Sequence, residues 1–200
     1  MNEDLKSIIL EKGEPIVYQK DVLIKGALPE QLIEYFQLYG ISSFEDGFIW
    51  MVSTDLFNEL VQFIFADFPI FDCEQIHIYA YSAFGRLFFW SEQYGYGNVN
   101  LTENLINCRG LARQKVRNMG RMSYLPLSTG LAGFDLIDDV TCKGLYKGAK
   151  KKLGMLEHGE CYGFVPALAF GGAEILENIK KMNALSHFAI LAQTKDFTIK

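Results

Sequence analysis

The sequence has few of the side chains that support metal or cofactor chemistry. It has 4 cysteines and 3 histidines in 200 residues, and no two cysteines form a CxxC pair. A structural zinc site usually shows two close ligand pairs, so this spacing does not favour zinc. The chain also lacks a GxxxxGK[ST] loop and the three-glycine fingerprint of dinucleotide-binding proteins. We therefore expect no metal and no cofactor, and we expect the cysteines to be reduced thiols.

Long hydrophobic runs are also missing. No uncharged apolar stretch reaches the ~20 residues that a membrane-spanning helix needs. The longest candidate, residues 60–70, is interrupted by Gln62, Asp67 and Pro69. The first six residues do not form the positive region and apolar run of a secretory signal. These absences predict a cytoplasmic protein that has no membrane partner.

Apolar side chains, in contrast, are abundant enough to fill a large core. Hydrophobic residues make up 50% of the chain, aromatic residues 14% and charged residues 22%. This composition excludes intrinsic disorder, and the length suits one large domain or two small ones. The net charge of −5 disfavours binding of nucleic acid by the whole protein and is compatible with a basic partner.

The hydrophobic pattern mixes helices and strands without regular βαβ alternation. Helices are predicted over residues 2–12, 29–40, 55–65, 141–153 and 174–182. Strands are predicted over residues 48–52, 76–82, 86–90 and 188–193, with one short strand in 16–25 and a further strand near 99–101. This order predicts an α+β fold with a mixed or antiparallel sheet, flanking helices and one compact unit.

Two arrangements of cysteine and histidine could carry chemistry. Cys142, His158, Cys161 and His187 could form a zinc site, and Cys161 with His187 could form a nucleophile pair. Both are outweighed by the simpler interpretation that these are buried thiols and ordinary histidines, because no local signature surrounds them. The residues therefore predict a protein without catalysis of its own.

A stripe of arginines is the sharpest feature of the middle of the chain. Four of them recur every four residues and would share one face of a helix: Arg109, Arg113, Arg117 and Arg121. Such a stripe can follow phosphates, which gives an alternative function as a nucleic-acid-binding or regulatory module. The simpler alternative is a solvated face that pairs with the acidic remainder of the protein.

Two blocks of sequence resemble known families. In the first, LPEQLIEYF (28–36), DGFIWMV (46–52) and SAFGRLFFW (82–90) resemble the GAD-like domain. Ser53-Thr54 stands where that domain usually has Asn-Pro, and Ser82 stands where it has Thr. In the second, GECYGFVPALAFGG (159–172), ENIKK (177–181) and HFAILAQ (187–193) resemble the C-terminal domain that accompanies GAD-like domains in bacterial immunity proteins against type VI secretion DNase effectors.

The resemblance implies a non-catalytic protein that binds a cognate toxin, a nuclease with a basic cleft, and neutralises it. It divides the chain into a GAD-like region (1–101), a connecting basic segment (102–134) and an immunity-protein C-terminal region (135–200), which we expect to pack with 1–101 as one unit. It does not identify the binding face. On charge alone, the candidate partner-binding residues are Asp135, Asp138, Asp139, Glu157 and Glu160. Nucleic acid is not expected as the main partner.

Overall fold

The computed structural model describes residues 1–111 and 124–200. In these residues, the helices are α1 (Glu3–Lys12), α2 (Glu30–Tyr39), α3 (Asn58–Phe65), α4 (Leu125–Thr129), α5 (Leu131–Phe134), α6 (Leu145–Leu153) and α7 (Ala184–Ala192). The strands are β1 (Ile16–Gln19), β2 (Ile41–Phe44), β3 (Ile49–Met51), β4 (Ile76–Ser82), β5 (Arg86–Ser91), β6 (Gly95–Asn100), β7 (Leu105–Asn107), β8 (Glu160–Phe164), β9 (Ile179–Asn183) and β10 (Thr198–Ile199). The predicted α+β class is confirmed.

The main sheet is an antiparallel meander, and a strand from far along the chain is added at one edge. Strands β1 to β7 pair in chain order, and each pair is antiparallel. The short β10 then adds to β7 in parallel, so that the last strand of the chain completes the sheet. Strands β8 and β9 form a separate antiparallel pair.

The central strands β4 and β5 are buried on both faces. In β5, Phe88 and Trp90 point into a core covered by α1, α2 and α6, whereas Leu87 and Phe89 point into a core covered by α3 and α7. Successive side chains of a strand alternate between the two faces, so a strand covered on both sides is apolar throughout. This explains why most side chains of the predicted hairpin are apolar.

The turn between β2 and β3 packs against the C-terminal half of the chain. Glu45, Asp46 and Gly47 have φ values of 49°, 59° and 91°, all in the left-handed region that non-glycine residues rarely adopt. A Cβ atom on Gly47 would lie 2.7 Å from the carbonyl oxygen of Leu156, so this position requires glycine. The turn therefore lies directly against the segment that follows α6.

Hydrogen bonds hold this turn in place. The Glu45 carboxylate accepts a bond of 2.7 Å from the backbone N–H of Leu131. The Tyr146 hydroxyl donates to the carbonyl oxygen of Asp46 at 2.6 Å, and Lys150 pairs with the Asp46 carboxylate at 2.6 Å. Helices α5 and α6 are thus both attached to the turn between β2 and β3.

Most of the predicted elements are confirmed, with shifts at their ends. Helix α2 lies between Pro29, its N-cap, and Gly40, as predicted. The expected hairpin is β4–β5, and the expected strand beside it is β6. The helix predicted from residue 55 begins at Asn58, because the residues before it form turns.

Two predictions near the C-terminus are wrong. Residues 174–182, predicted as a helix, form a single 3-10 turn followed by β9, whose backbone pairs with β8 from Phe164↔Ile179 onwards. Residues 188–193, predicted as a strand, belong to α7. Its buried residues are His187, Phe188, Leu191 and Ala192, which follow a helical spacing, and Asn183 caps the helix by accepting the N–H of Ser186.

Among residues 1–111 and 124–200, no helix is both long enough and apolar enough to cross a membrane.

Candidate partner-binding surface

Asp138, one of the five predicted acidic residues, has an internal structural role. Its Oδ1 accepts the backbone N–H groups of Val140 at 3.1 Å and Thr141 at 2.7 Å, and its Oδ2 accepts the N–H of Leu176 at 3.0 Å. The Thr141 bond is the largest influence that lowers the pKa of the Asp138 carboxyl. The side chain thus closes the loop before α6 and fastens it to residue 176.

The other two aspartates also accept backbone N–H groups. Asp135 accepts the backbone N–H of Tyr146 at 3.0 Å, and burial raises the pKa of its carboxyl despite this bond. Asp139 is exposed and accepts the backbone N–H of Glu174 at 2.9 Å. Its charge is also among the influences that, after burial, raise the pKa of Glu174.

A cavity of about 800 Å³ opens beside this loop and has charges of both signs. Its walls include Glu45, Asp135 and Asp138 together with Lys12 and Lys147. The acidic side chains of the loop therefore face basic ones. This cavity is not a purely acidic site.

The two glutamates lie elsewhere. The Glu160 carboxylate accepts bonds of 2.8 Å from Lys181 and from the backbone N–H of Glu157. Burial acts to raise the pKa of Glu160, but these two donors outweigh it, and the pKa is lowered. The Glu157 side chain is exposed.

Helix α6 separates the two acidic groups. Asp135 binds the first turn of α6, whereas Glu157 and Glu160 follow its last residue, Leu153. With nine residues at 1.5 Å each, α6 is about 13 Å long. The structure therefore brings Asp135, Asp138 and Asp139 together and places the glutamates at the other end of the helix.

The five predicted acidic residues lie in the C-terminal half of the chain, but most of the acidic residues lie in the N-terminal half. Residues 1–103 contain 16 acidic and 5 basic side chains, a net charge of −11. Residues 135–200 contain 8 acidic and 9 basic side chains. The acidity of the protein is thus concentrated in its N-terminal half. Counting charges by segment would have found this from the sequence.

The arginine stripe falls mostly outside the described residues. Arg109 is exposed, whereas Arg113, Arg117 and Arg121 lie in 112–123.

The candidate nucleophile and zinc ligands are placed as follows. Cys161 is buried, and burial raises its pKa to about 12, so that the thiol stays protonated at neutral pH. Burial lowers the pKa of His187 and of His158. In the described part of the chain, no three histidine, cysteine or acidic side chains are grouped as metal ligands.

A groove between α3 and α7 was not predicted. Its volume is about 560 Å³, and its walls include Glu59 and Phe63 from α3 and Leu185, Ala189 and Gln193 from α7 and its C-cap. We call it the α3–α7 groove. The spacing of four residues along the α7 wall is the sequence signal that could have revealed it, but these residues were interpreted in part as a strand.

The opposite pKa shifts of Asp135 and Asp138 predict opposite effects of removing each charge. The fold lowers the pKa of Asp138, so its ionised form stabilises the protein at pH 7. That contribution is lost as the pH falls through the folded-state pKa, which lies below the ordinary value of an aspartate. The fold raises the pKa of Asp135, so its charge opposes folding at pH 7. At pH 7, Asp138→Asn should lower the melting temperature by several degrees, whereas Asp135→Asn should leave it unchanged or raise it.

Thermal unfolding followed by circular dichroism at pH 7 checks this pair of variants. Each variant is the matched control of the other, since both replace a carboxylate by an amide in the same loop. Equal losses of melting temperature in the two variants would contradict the assigned roles.

Comparisons with known proteins match both halves of the chain. Residues 6–103 match the GAD-like domain, and residues 134–195 match the family described as T6SS immunity protein Tdi1, C-terminal. A solved structure, the crystal structure of Atu4351 from Agrobacterium tumefaciens, has a similar fold with a TM-score of 0.84 and 22% sequence identity. The similarity covers 100% of this chain and 91% of that one. No curated protein matches. The two family matches cover about four fifths of the sequence, and the chain therefore belongs to the proteins that join a GAD-like domain to the C-terminal domain of the T6SS immunity protein Tdi1.

Proposed function

We propose that this chain is a cytoplasmic, non-catalytic immunity protein that binds and neutralises a cognate toxin of a type VI secretion system, and that this toxin is a nuclease. The observation that carries the proposal is the match of residues 134–195 to an immunity-protein domain, next to a GAD-like domain at residues 6–103. An immunity protein acts by occupying a surface of its toxin, which requires affinity and no chemical step.

The charge of the chain supports a nuclease as the partner. A nuclease needs a basic cleft to hold the phosphates of its substrate. The N-terminal 103 residues, with a net charge of −11, would be attracted to such a cleft and would accelerate the encounter. A nuclease bound in this way could not admit nucleic acid to the same cleft.

The candidate nucleophile supports a role without catalysis. A cysteine nucleophile attacks as the thiolate, and its pKa is usually depressed by a nearby cation or a helix N-terminus. Cys161 shows the opposite, since its pKa is raised to about 12 by burial. A packing role among the buried side chains suits it better.

We propose further that regions 1–101 and 135–200 act as one unit, joined by the basic segment 102–134. Direct contacts support this. The backbone N–H of Tyr162 donates to the carbonyl oxygen of Ala83 at 2.8 Å, and the Tyr146 hydroxyl donates to the carbonyl oxygen of Asp46 at 2.6 Å. A toxin bound by either region would therefore meet a single rigid body.

For the contact residues, we retain the acidic set of Asp135, Asp138, Asp139, Glu157 and Glu160 as part of the proposal. Asp139 and Glu157 are exposed and are the members best placed to meet a partner. Asp138 would act indirectly, by holding the loop that presents Asp139.

Capture of the partner tests the function. The tagged chain is expected to retain one toxin-like nuclease in stoichiometric amount from the cytoplasm of its source cell at moderate salt, as identified by mass spectrometry. Expression of that nuclease alone should kill a host, and co-expression of the chain should restore growth. An unrelated acidic protein of the same size and tag is the control. Capture of nucleic acid alone, or no rescue of growth, would contradict the proposal.

Reversal of charge tests the acidic residues. With the captured nuclease, Asp139→Lys combined with Glu157→Lys should lower the association rate severalfold at low salt, because steering depends on the sum of the charges. Asp21→Lys combined with Glu177→Lys, which reverses two exposed acidic residues outside this set and changes the net charge by the same amount, is the matched control. Association measured by surface plasmon resonance that is equal in both variants would remove these two residues from the interface and leave the function standing.

A further inference from the structure

The α3–α7 groove exposes large apolar side chains that the core does not use. Phe63 on α3 is 53% exposed and Leu185 on α7 is 43% exposed, and both line the groove. On α3 the sheet is covered by Leu60, Val61, Ile64 and Phe65. The exposed ring of Phe63 therefore adds apolar surface beyond what covers the sheet. Contiguous apolar surface between two helices is typical of a docking site.

The α3 side of the groove has two acidic residues, Asp55 and Glu59, and Lys25 pairs with Asp55 at 3.3 Å. Residues 26–85 contain nine acidic side chains and no lysine or arginine. Glu59 lines the groove, and Glu74 lies next to α3, where it accepts a bond from the side chain of Gln62 at 3.4 Å. Neither carboxyl is enclosed, since both residues are exposed. The groove thus combines an apolar floor with a negative rim.

The α7 side is uncharged at the groove. Residues 184–192 contain no lysine, arginine or acidic residue. A ligand in the groove would therefore meet apolar contacts on the α7 wall and negative charge on the α3 wall. This asymmetry gives an elongated partner a defined orientation.

We propose that the α3–α7 groove is the docking site for a basic segment of the toxin. An apolar side chain of that segment would insert between Phe63 and Leu185, and its lysines or arginines would pair with Glu59 and Glu74. The inference rests on the proposed function and adds to it the place and the chemistry of the contact.

Two other observations favour this occupant over a second copy of the chain. Two copies docked groove to groove would bring two acidic rims together, which like-charge repulsion opposes. The backbone N–H of Ala184, at the start of α7, also donates to the carbonyl oxygen of Gly159 at 2.8 Å. The groove therefore begins beside the loop that presents Glu157, and a basic partner could contact both.

Binding of the captured nuclease, purified as a separate chain, tests the inference. Phe63→Ser with Leu185→Ser should raise the dissociation constant at least about tenfold through faster dissociation, because anchors at the centre of an interface dominate its affinity. Glu59→Lys with Glu74→Lys should slow association, and the difference should shrink at high salt. The matched controls are Leu10→Ser, at a side chain on α1 that is 88% exposed, and Asp21→Lys with Glu177→Lys, which changes the net charge by the same amount away from the groove. Circular dichroism verifies that each variant is folded.

The outcomes separate this inference from the function on which it rests. Weaker binding by both groove variants, with normal binding by both controls, supports the groove. Normal binding by the groove variants overturns it while the immunity function stands. A wild-type dimer that the groove variants dissociate would assign the groove to a second copy and overturn the toxin as its occupant. A wild-type chain that binds no nuclease overturns the function and the groove together.

Discussion

Strands β4 and β5 place large apolar side chains on both faces of the sheet, and the rest of the structure is arranged to cover them. One face is covered by α1, α2 and α6, and the other by α3 and α7. Helix α7 belongs to the C-terminal region, yet its residue Phe188 packs against the N-terminal half. The centroid of the Phe188 ring lies 5.6 Å from that of Tyr81 and 6.0 Å from that of Phe57. A doubly buried sheet that lost this cover would expose several aromatic rings to water, at roughly 1.5–3 kcal/mol each.

This requirement is met by contacts between the two matched regions of the chain. The GAD-like sheet is completed at its edge by β10 and on one face by α7, both from the C-terminal region. The left-handed turn of Glu45, Asp46 and Gly47 attaches α5 and α6 on the opposite side. The groove that we assign to the toxin lies between a helix from each region. A binding surface of this kind exists only when both regions are folded together.

Local signals in the sequence correctly predicted the elements whose ends are marked by a proline or a glycine. Pro29 and Gly40 delimit α2, and Gly85 separates the strands of the hairpin. The strand predicted over residues 188–193 failed because its signal is an apolar run without a proline or glycine. The helix predicted over residues 174–182 is not such a run, and its last residues pair with β8 instead. The apolar pattern of residues 188–193 fits a strand or a buried helix equally well. In the structure these residues are helical, and Phe188 packs against Tyr81 and Phe57.

The site was less predictable than the fold, for a physical reason. A sequence shows that Asp138 is acidic but not that its oxygens accept three backbone N–H groups. It shows Phe63 and Leu185 as apolar but not that they remain exposed on opposite walls of one groove. The charge imbalance between residues 1–103 and 135–200 was visible in the sequence. That imbalance points to the N-terminal half as the more acidic part of the molecule.

The central claim is that the chain neutralises its toxin by occupying it and not by altering it. Titration of the purified nuclease with the chain, with residual nuclease activity measured at toxin concentrations well above the dissociation constant, tests this most directly. We expect a linear loss of activity that ends at one chain per nuclease and does not change with incubation time. Inactivation that proceeds with time at far below one equivalent would show a catalytic mechanism and contradict the account.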